Sequence, residues 1–277
     1  METPRDRRAT PGTAPMTGAV SLPMYDWPEI RDATDALWAA IRRQLTVSGI
    51  AAPRALDRRD DPEPLWTAPD LILSQTCGFP YANRLAGKVG LVGTPAYAVT
   101  GAEPGHYFSV LVARKDECPR DLSGLANRRF AFNMAHSQSG FAAPVRLLAT
   151  GGFQSRPQPL ETGAHRASIR AVAQRKADWA AIDVVTWQLA RRHEPAAEEL
   201  VVFATTPQTP ALPLITSAGL ADRACTIANA VEKAIAGLEA EVRDAVFLTG
   251  LARFTPADYA PLADILPVRQ AFPGRAD

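Results

Sequence analysis

The residues Ser137, Gln138, Ser139 and Gly140 are the stretch of this chain whose types and spacing are best suited to binding chemistry. They follow a short apolar segment and precede an amphipathic one, which predicts a polar elbow between a strand and a helix. The first N–H groups of a helix have no partner within it, and the helix dipole favours negative charge beside them. The elbow is therefore a candidate anion site. The alternative is a serine that only caps the helix, with a glycine behind it.

Polar residues also follow several other predicted strands. In open α/β sheets, ligands bind beyond the carboxyl ends of the strands. Each polar cluster can also be explained as turn or cap chemistry, but together they favour one shared ligand cleft. The clusters outside the elbow are Tyr25 with Asp26, then Gln75, Thr76 and Cys77, then Thr162, Gly163 and His165, and finally Asp183.

Three of these residues have a functional and a structural interpretation that the sequence leaves open. Asp183 follows small and apolar residues, and it either meets a ligand or caps the helix that begins at Val184. His165 lies at a predicted helix start, where its ring faces the cleft or the surface. Cys77 becomes a nucleophile only if a helix N-terminus stabilises its thiolate, and small buried cysteines are common. Trp27, at a strand–helix junction, is a further cleft candidate.

The elements that position these residues alternate between strands and helices, which predicts an α/β fold with largely parallel sheets. Asp26 is expected to cap a helix that extends to Val47. Predicted strands are 20–25, 70–74, 89–95, 106–114, 130–133, 159–161, 178–183, 200–206 and 214–216, and 207–213 is a loop. Residues 165–175 and 184–192 are predicted helices, and 221–251 and 256–262 are predicted to be mostly helical.

The composition is that of an ordinary soluble protein. The 277 residues are 47% hydrophobic and 21% charged with a net charge of +1, which suits one large domain or two smaller ones. Without a basic excess, no nucleic-acid partner is expected, and no apolar run predicts membrane insertion. The cysteines Cys77, Cys118 and Cys225 are odd in number and widely spaced, and the histidines lack metal-site spacing. Neither a disulfide nor a metal site is expected.

The N-terminal residues 1–16 are rich in Arg, Thr and Pro, and we expect them to be disordered. A secretory signal needs an apolar core of about 7–15 residues, which is absent before Trp27. The sequence as written therefore predicts a cytoplasmic protein. A periplasmic protein is the alternative if translation begins later, as at Met16, or if the chain is a processed form.

The order and spacing of several segments resemble the type II periplasmic solute-binding proteins, closest to the phosphate/phosphite/phosphonate branch of ABC transporter components. The resemblance covers residues 17–270. Segment 107–116, followed by 121–125, resembles the crossing strand and turn of that family. Ser137-Gln-Ser-Gly-Phe resembles its Ser-x-Ser-Gly helix start, and 163–169 followed by 177–183 resembles its region of a strand that ends on an acid.

The resemblance implies two α/β lobes joined by two crossing segments, with a ligand cleft between the lobes. The first lobe would be 17–108 plus 206–277, and the second 109–205. The elbow would hold the anionic or polar head of the ligand, and Asp183 would meet an amine or hydroxyl. The full set of implied ligand-binding residues is Tyr25, Gln75, Thr76, Cys77, Ser137, Gln138, Ser139, Gly140, His165 and Asp183.

Two functions follow from this resemblance. The first, which we favour, is a monomeric solute-binding protein without cofactor or catalytic residue, either the partner of an ABC permease or a cytosolic derivative. It would trap a small anionic or zwitterionic ligand, such as a phosphonate, phosphate or carboxylate, by hinge closure. The second is a cytosolic enzyme on the same fold, of the menaquinone-pathway or thiamin-precursor type, that uses Cys77 and His165.

Overall fold

The fold is taken from a computed structural model that describes residues 18–125, 127–151 and 157–264. The predicted disorder of residues 1–16 lies outside these ranges. Strands β1 to β12 are Ala19–Ser21, Leu71–Gln75, Gly90–Tyr97, His106–Tyr107, Ser109–Arg114, Arg129–Phe132, Gln158–Glu161, Trp179–Asp183, Leu200–Thr205, Thr209–Pro210, Leu214–Thr216 and Leu248–Ala252.

Helices cover both faces of the sheets. Helices α1 to α9 are Arg31–Val47, Glu63–Trp66, Gly78–Pro80, Ala143–Thr150, His165–Ala173, Val184–His193, Ala224–Ala236, Ala240–Ala245 and Pro256–Tyr259. Tyr81–Leu85 and Gln138–Ala142 are π-helical, and the second continues directly into α4. The 3₁₀ turns are Pro28–Ile30, Lys115–Glu117, Leu122–Leu125, Pro195–Glu199, Ala218–Arg223 and Ala260–Ala263. Over the residues that the structure describes, no helix combines the length and apolar character that crossing a bilayer requires.

Two five-stranded sheets form the centres of two α/β lobes, as predicted. Their strand orders are β1-β2-β11-β3-β12 and β7-β6-β8-β5-β9. Both sheets are mixed, so the prediction of largely parallel sheets is wrong. Strand β11 is antiparallel to β2 and β3, and β5 is antiparallel to β8 and β9. The reason is that β5 and β11 enter their sheets from segments that pass between the lobes, and not through a helical crossover.

The chain crosses between the sheets twice, after β3 and again after β9. The two crossing segments pair as a short antiparallel ribbon, with Thr209 opposite Tyr107 and Pro210 opposite His106. The segment predicted as a loop therefore contains strand β10, and the predicted strand 106–114 is interrupted at Phe108. The predicted lobe boundaries stay a prediction, because strand pairing alone does not define where a domain ends.

Each lobe has its own apolar core. In the first, α1 and α7 pack against each other and against the sheet, and α1 contributes Leu37, Ile41 and Leu45 at helical spacing. In the second, strand β8 is buried along its whole length, and Trp179 stacks on Phe130 at 4.0 Å between ring centroids. Because β8 is central in its sheet and buried, the polar residue at its end, Asp183, is positioned at the cleft by strands on both sides.

Two local predictions are wrong. Asp26 does not cap the first helix, which begins with a 3₁₀ turn and then α1, and its carboxylate pairs with Arg58 at 2.6 Å. The end of the predicted helical region is strand β12, paired with β3. Helix α8 ends just before Phe247, which has a φ of 56°. That left-handed conformation stops the helix and turns the chain into the strand.

Candidate ligand-binding cleft

A cleft of about 670 Å³ lies between the two lobes. Residues at strand ends and helix starts of the second lobe form one side, and the segment after β1 forms much of the other. The structure brings the following predicted site residues to its walls: Tyr25, Cys77, Ser137, Ser139, His165 and Asp183. Their contact with a ligand stays a prediction, but the strand-end pattern did place them around one space.

The polar elbow both caps a helix and faces the cleft. Ser137 is the N-cap, and its hydroxyl accepts the Gly140 N–H at 3.1 Å. Ser139 lies two residues further along the chain. Its Oγ is 2.9 Å from Nε2 of the His165 ring. Its carbonyl accepts the hydroxyl of Ser109 at 2.7 Å, which fixes the backbone of the elbow to strand β5. Ser137 therefore caps the helix, and ligand binding by Ser139 stays a prediction.

Asn133, Ser137, Ser139 and His165 form what we call the neutral wall, since none of these side chains carries a charge at pH 7. Burial lowers the pKa of His165 to about 4, so its ring is neutral at that pH. Asn133 is 8% exposed and directly follows strand β6. Its Oδ1 has no hydrogen-bond partner among the described residues and lies against Gly140. A Cβ at Gly140 would meet that oxygen at 1.9 Å, so only glycine allows this approach.

Asp183 lies at the junction of the two lobes, 2% exposed. Its Oδ1 accepts the N–H groups of Val185 and Thr186 at 2.7 and 3.0 Å, and so caps α6. Its Oδ2 accepts the hydroxyl of Tyr25, from the other lobe, at 2.7 Å. Burial raises the pKa of Asp183 to about 6, although these hydrogen bonds act in the opposite direction. The carboxyl group thus caps a helix and joins the lobes, and it still lines the cleft.

The opposite side of the cleft carries carboxylates. Asp60, Asp61 and Glu63 line it, and we call them the acidic rim. Arg59 beside them is paired with Asp57 at 2.6 Å. His136 Nε2, from the second lobe, lies 3.0 Å from Glu63.

Arg166 is the other arginine of the cleft, and carboxylates already occupy its guanidinium. It binds Glu29 with two nitrogens at 2.8 and 3.1 Å and Glu194 at 2.6 Å. Its guanidinium also lies 4.3 Å from the centre of the Trp27 ring. Since Glu29 and Trp27 precede α1 in the first lobe, this cluster joins the two lobes at the edge of the cleft.

The remaining predicted site residues do not line the cleft. Gln75 points into the first lobe, where its Nε2 donates to the Tyr97 hydroxyl at 3.0 Å, and Thr76 is fully buried. Gln138 is 1% exposed, and its Oε1 accepts from Arg146 at 2.9 Å. The predicted contacts of Gln75, Thr76 and Gln138 with a ligand stay predictions. Their burial outside the cleft lining does not favour such contacts.

Sequence reasoning missed Asn133, Arg166 and the acidic rim. The sequence pattern makes Asn133 the last residue of the predicted strand 130–133. The same rule that places polar residues of strand ends at a cleft applies to it. The acidic residues were visible as an Asp- and Pro-rich connection. Nothing in the sequence indicated which side of the molecule that connection covers.

Cys77 and His165 both line the cleft, but their hydrogen-bond partners differ. Its half-buried thiol accepts the Gln138 N–H of the second lobe at 3.2 Å, and burial raises its pKa. Within the described residues, no hydrogen bond joins Cys77 to His165, whose ring pairs with Ser139. The pair that the alternative enzyme would need is therefore not assembled.

Residues 70–262 match the protein family described as ABC transporter, phosphonate, periplasmic substrate-binding protein. The chain belongs to this phosphonate-binding family. Its membership confirms the resemblance found in the sequence and the function of a solute-binding protein. No curated protein sequence matches the chain at a significant level.

Several solved structures share its fold. The PhnD1 protein of Prochlorococcus marinus, in complex with methylphosphonate, is 15% identical with a TM-score of 0.67, over 92% of this chain and 99% of that one. The binding component of a Pseudomonas aeruginosa phosphonate transporter is 16% identical with a TM-score of 0.64, over 92% and 85%. A Xanthomonas citri protein bound to ATP is 14% identical with a TM-score of 0.67, over 92% and 98%.

Proposed function

We propose that the protein binds a small zwitterionic ligand, with the anionic group on the neutral wall and the cationic group toward the acidic rim and Asp183. The charge of the cleft carries this proposal. Its two arginines, Arg59 and Arg166, are both paired with carboxylates. Four further carboxyl groups line the same space, namely Asp60, Asp61, Glu63 and Asp183, and of these Glu63 is paired with Arg84. A dianion without a positive group would be repelled by this arrangement.

The neutral wall supplies the donors for the anionic group. The Ser139 hydroxyl can bind an oxygen without a cation, and the start of its helical segment is the positive end of the helix dipole. Asn133 contributes an amide beside them. The Prochlorococcus marinus relative was solved with methylphosphonate, which supports a phosphonate or phosphate as the anionic group. A carboxylate offers the same acceptors with less charge.

Closure of the lobes around the ligand follows from contacts that already join them. Tyr25 donates to Asp183, and Arg166 pairs with Glu29. We propose that a monomer closes in this way and delivers the ligand to an ABC permease. The cell compartment stays a prediction, and fractionation of the native host would test it.

Calorimetric titration with a matched set of compounds tests the proposal. We expect 2-aminoethylphosphonate to bind at least about tenfold more tightly than methylphosphonate, which lacks the amine. A compound at a hundred times its dissociation constant should raise the free energy of unfolding by about 2.7 kcal/mol. Ser139→Ala should weaken binding of both compounds. Ser123→Ala, at an exposed position of the same lobe, is the matched control and should bind as the wild type does.

Three results would contradict parts of the proposal. Equal or tighter binding of methylphosphonate would exclude the zwitterion. Failure of phosphonates, phosphate and carboxylates alike would exclude an anionic ligand. A phosphorus NMR spectrum should show the bound compound unchanged after incubation, and its consumption would favour the enzyme instead.

A further inference from the structure

Cys77 is a thiol at the contact between the two lobes that the proposed ligand site does not use. It precedes α3 in the first lobe and lines the cleft. Its sulfur lies 3.2 Å from the backbone nitrogen of Gln138, the first residue of the helical segment in the second lobe. The sulfur and the nitrogen are in direct contact, so an added atom cannot fit between them.

More hydrogen-bond donors surround the sulfur than a neutral thiol can use. The backbone N–H groups of Phe79 and Ser139 face it in addition to that of Gln138. The Tyr107 hydroxyl also lies beside it, next to the Ser139 side chain. Thiol sulfur is a weak acceptor. The surroundings therefore suit an oxygen atom carried on the sulfur better than the thiol itself.

Tyr107 is an independent observation that points to such an oxygen. Its side chain is 1% exposed, and its hydroxyl makes no hydrogen bond of normal geometry with the described residues. A buried hydroxyl without a partner is costly. Tyr107 belongs to the ribbon that joins the lobes, so its hydroxyl stays near Cys77 when Gln138 moves away.

We propose that Cys77 is a peroxide-sensitive site that controls closure: it is reached when the lobes open, and its oxidation prevents them from closing. When the lobes open and burial no longer raises its pKa, the thiol loses its proton to water, and the thiolate sulfur attacks one peroxide oxygen, so an S–O bond forms and the O–O bond breaks. Hydroxide leaves and takes up a proton to become water. The sulfur is oxidised by two electrons to a sulfenic acid, and the peroxide is reduced.

Oxidation of the sulfur affects its contacts with the first lobe and with the second lobe differently. The new oxygen accepts hydrogen bonds from Tyr107 and from the Phe79 N–H, which belong to the ribbon and the first lobe. It also occupies the place where the Gln138 N–H contacts sulfur in the closed form. The oxidised site is therefore stable only with the second lobe displaced, and a thiol reductant restores closure.

The test uses the full chain with Cys118→Ser and Cys225→Ser, which leaves Cys77 as the sole thiol of a sequence with three cysteines. Hydrogen peroxide is added, sulfenic acid is trapped with dimedone, and mass spectrometry measures the product. Small-angle X-ray scattering before and after peroxide, without dimedone, measures the radius of gyration. We expect labelling of Cys77, a larger radius after oxidation, and its return on reduction with dithiothreitol.

Two further variants keep the proposal falsifiable. Adding Cys77→Ser should abolish both the labelling and the change in radius. Adding Tyr107→Phe should make reduction of the oxidised site about fivefold faster, the equivalent of one lost hydrogen bond. The proposal is overturned if Cys77 stays unlabelled, or if it is labelled while the radius of gyration is unchanged. None of these measurements uses the proposed ligand, so they are independent of whether the zwitterion proposal holds.

Discussion

The neutral wall and the acidic rim face each other across one cleft, but they are built in different ways. The wall stands on the end of β6 and on the starts of two helices, and its asparagine and serines are buried. The rim lies on a connection between β1 and β2, where Asp60 and Asp61 are exposed. The wall therefore offers fixed geometry without charge, and the rim offers charge at exposed positions, of which Glu63 is held by Arg84 and Asp61 by the Glu63 N–H. Substitutions in the wall should be costly, and those in the rim should be mild and dependent on salt.

Gly140→Ala should have the largest effect, because it forces the wall apart. The new Cβ would lie 1.9 Å from Asn133 Oδ1 and 3.0 Å from His165 Cε1. We expect the free energy of unfolding to fall by about 3 kcal/mol, and phosphonate binding to be lost. Denaturant unfolding and calorimetry measure the two effects. Gly250→Ala is the matched control, because nothing lies within 4 Å of its Cβ position. Equal behaviour of the two variants would show that the wall is not tightly packed.

Asp183→Asn separates charge from geometry at the junction of wall and rim. Asparagine can still cap α6. Burial raises the pKa of Asp183 from 3.8 to about 6, so the folded state prefers the protonated form. That preference stabilises the wild type below pH 3.8 and is lost as the pH rises through 6. Relative to the wild type, the variant should therefore gain about 3 kcal/mol between pH 3.8 and pH 7.

Denaturant unfolding of both proteins at several pH values measures this difference, and it cancels the opposite contribution of His165. The same variant should bind 2-aminoethylphosphonate more weakly at pH 7 and methylphosphonate no more weakly. A stability difference that does not change with pH would mean that Asp183 is not destabilised by its burial.

Tyr25→Phe removes the hydroxyl that joins the first lobe to Asp183. Loss of a buried hydrogen bond to a carboxyl group should cost about 2 kcal/mol of unfolding free energy. It should also raise the pKa of Asp183 further, because this hydrogen bond lowers it. Tyr81→Phe, within the first lobe, serves as the comparison. If Tyr25→Phe alone leaves stability and ligand affinity unchanged, the contact contributes nothing to closure.

Asp60→Asn should have the smallest effect. An exposed carboxylate attracts the cationic group of a ligand only weakly, so we expect an affinity for 2-aminoethylphosphonate about twofold lower at low salt. The difference should disappear at 1 M salt, where the screening length is about 3 Å. A much larger loss, insensitive to salt, would mean that the rim contacts the ligand directly and is as well ordered as the wall.

The contrast also explains which parts could be predicted from the sequence. Ser137, Ser139, His165 and Asp183 follow strands, and that position depends on local pattern alone, so the sequence located them. Gln75 also lies at a strand end, but the direction of its side chain depends on how β11 pairs beside β2, which no local pattern reveals. The β11 and β12 strands return to the first sheet from distant parts of the chain. Their antiparallel pairing was invisible for the same reason, and so was the reach of Tyr25 to the other lobe.

The ribbon of β4 and β10 has a mechanical consequence. Two crossing segments tied by backbone hydrogen bonds bend together in one direction but resist rotation about their length. The lobes should therefore open by rotation about a single hinge axis, which lies at the ribbon. Tyr107, in the ribbon, should move little, whereas Met134 and the acidic rim, which line the cleft, should move the most. Entry and exit of the ligand would then share one route, and the rate of ligand exchange would depend on the rate at which the lobes open.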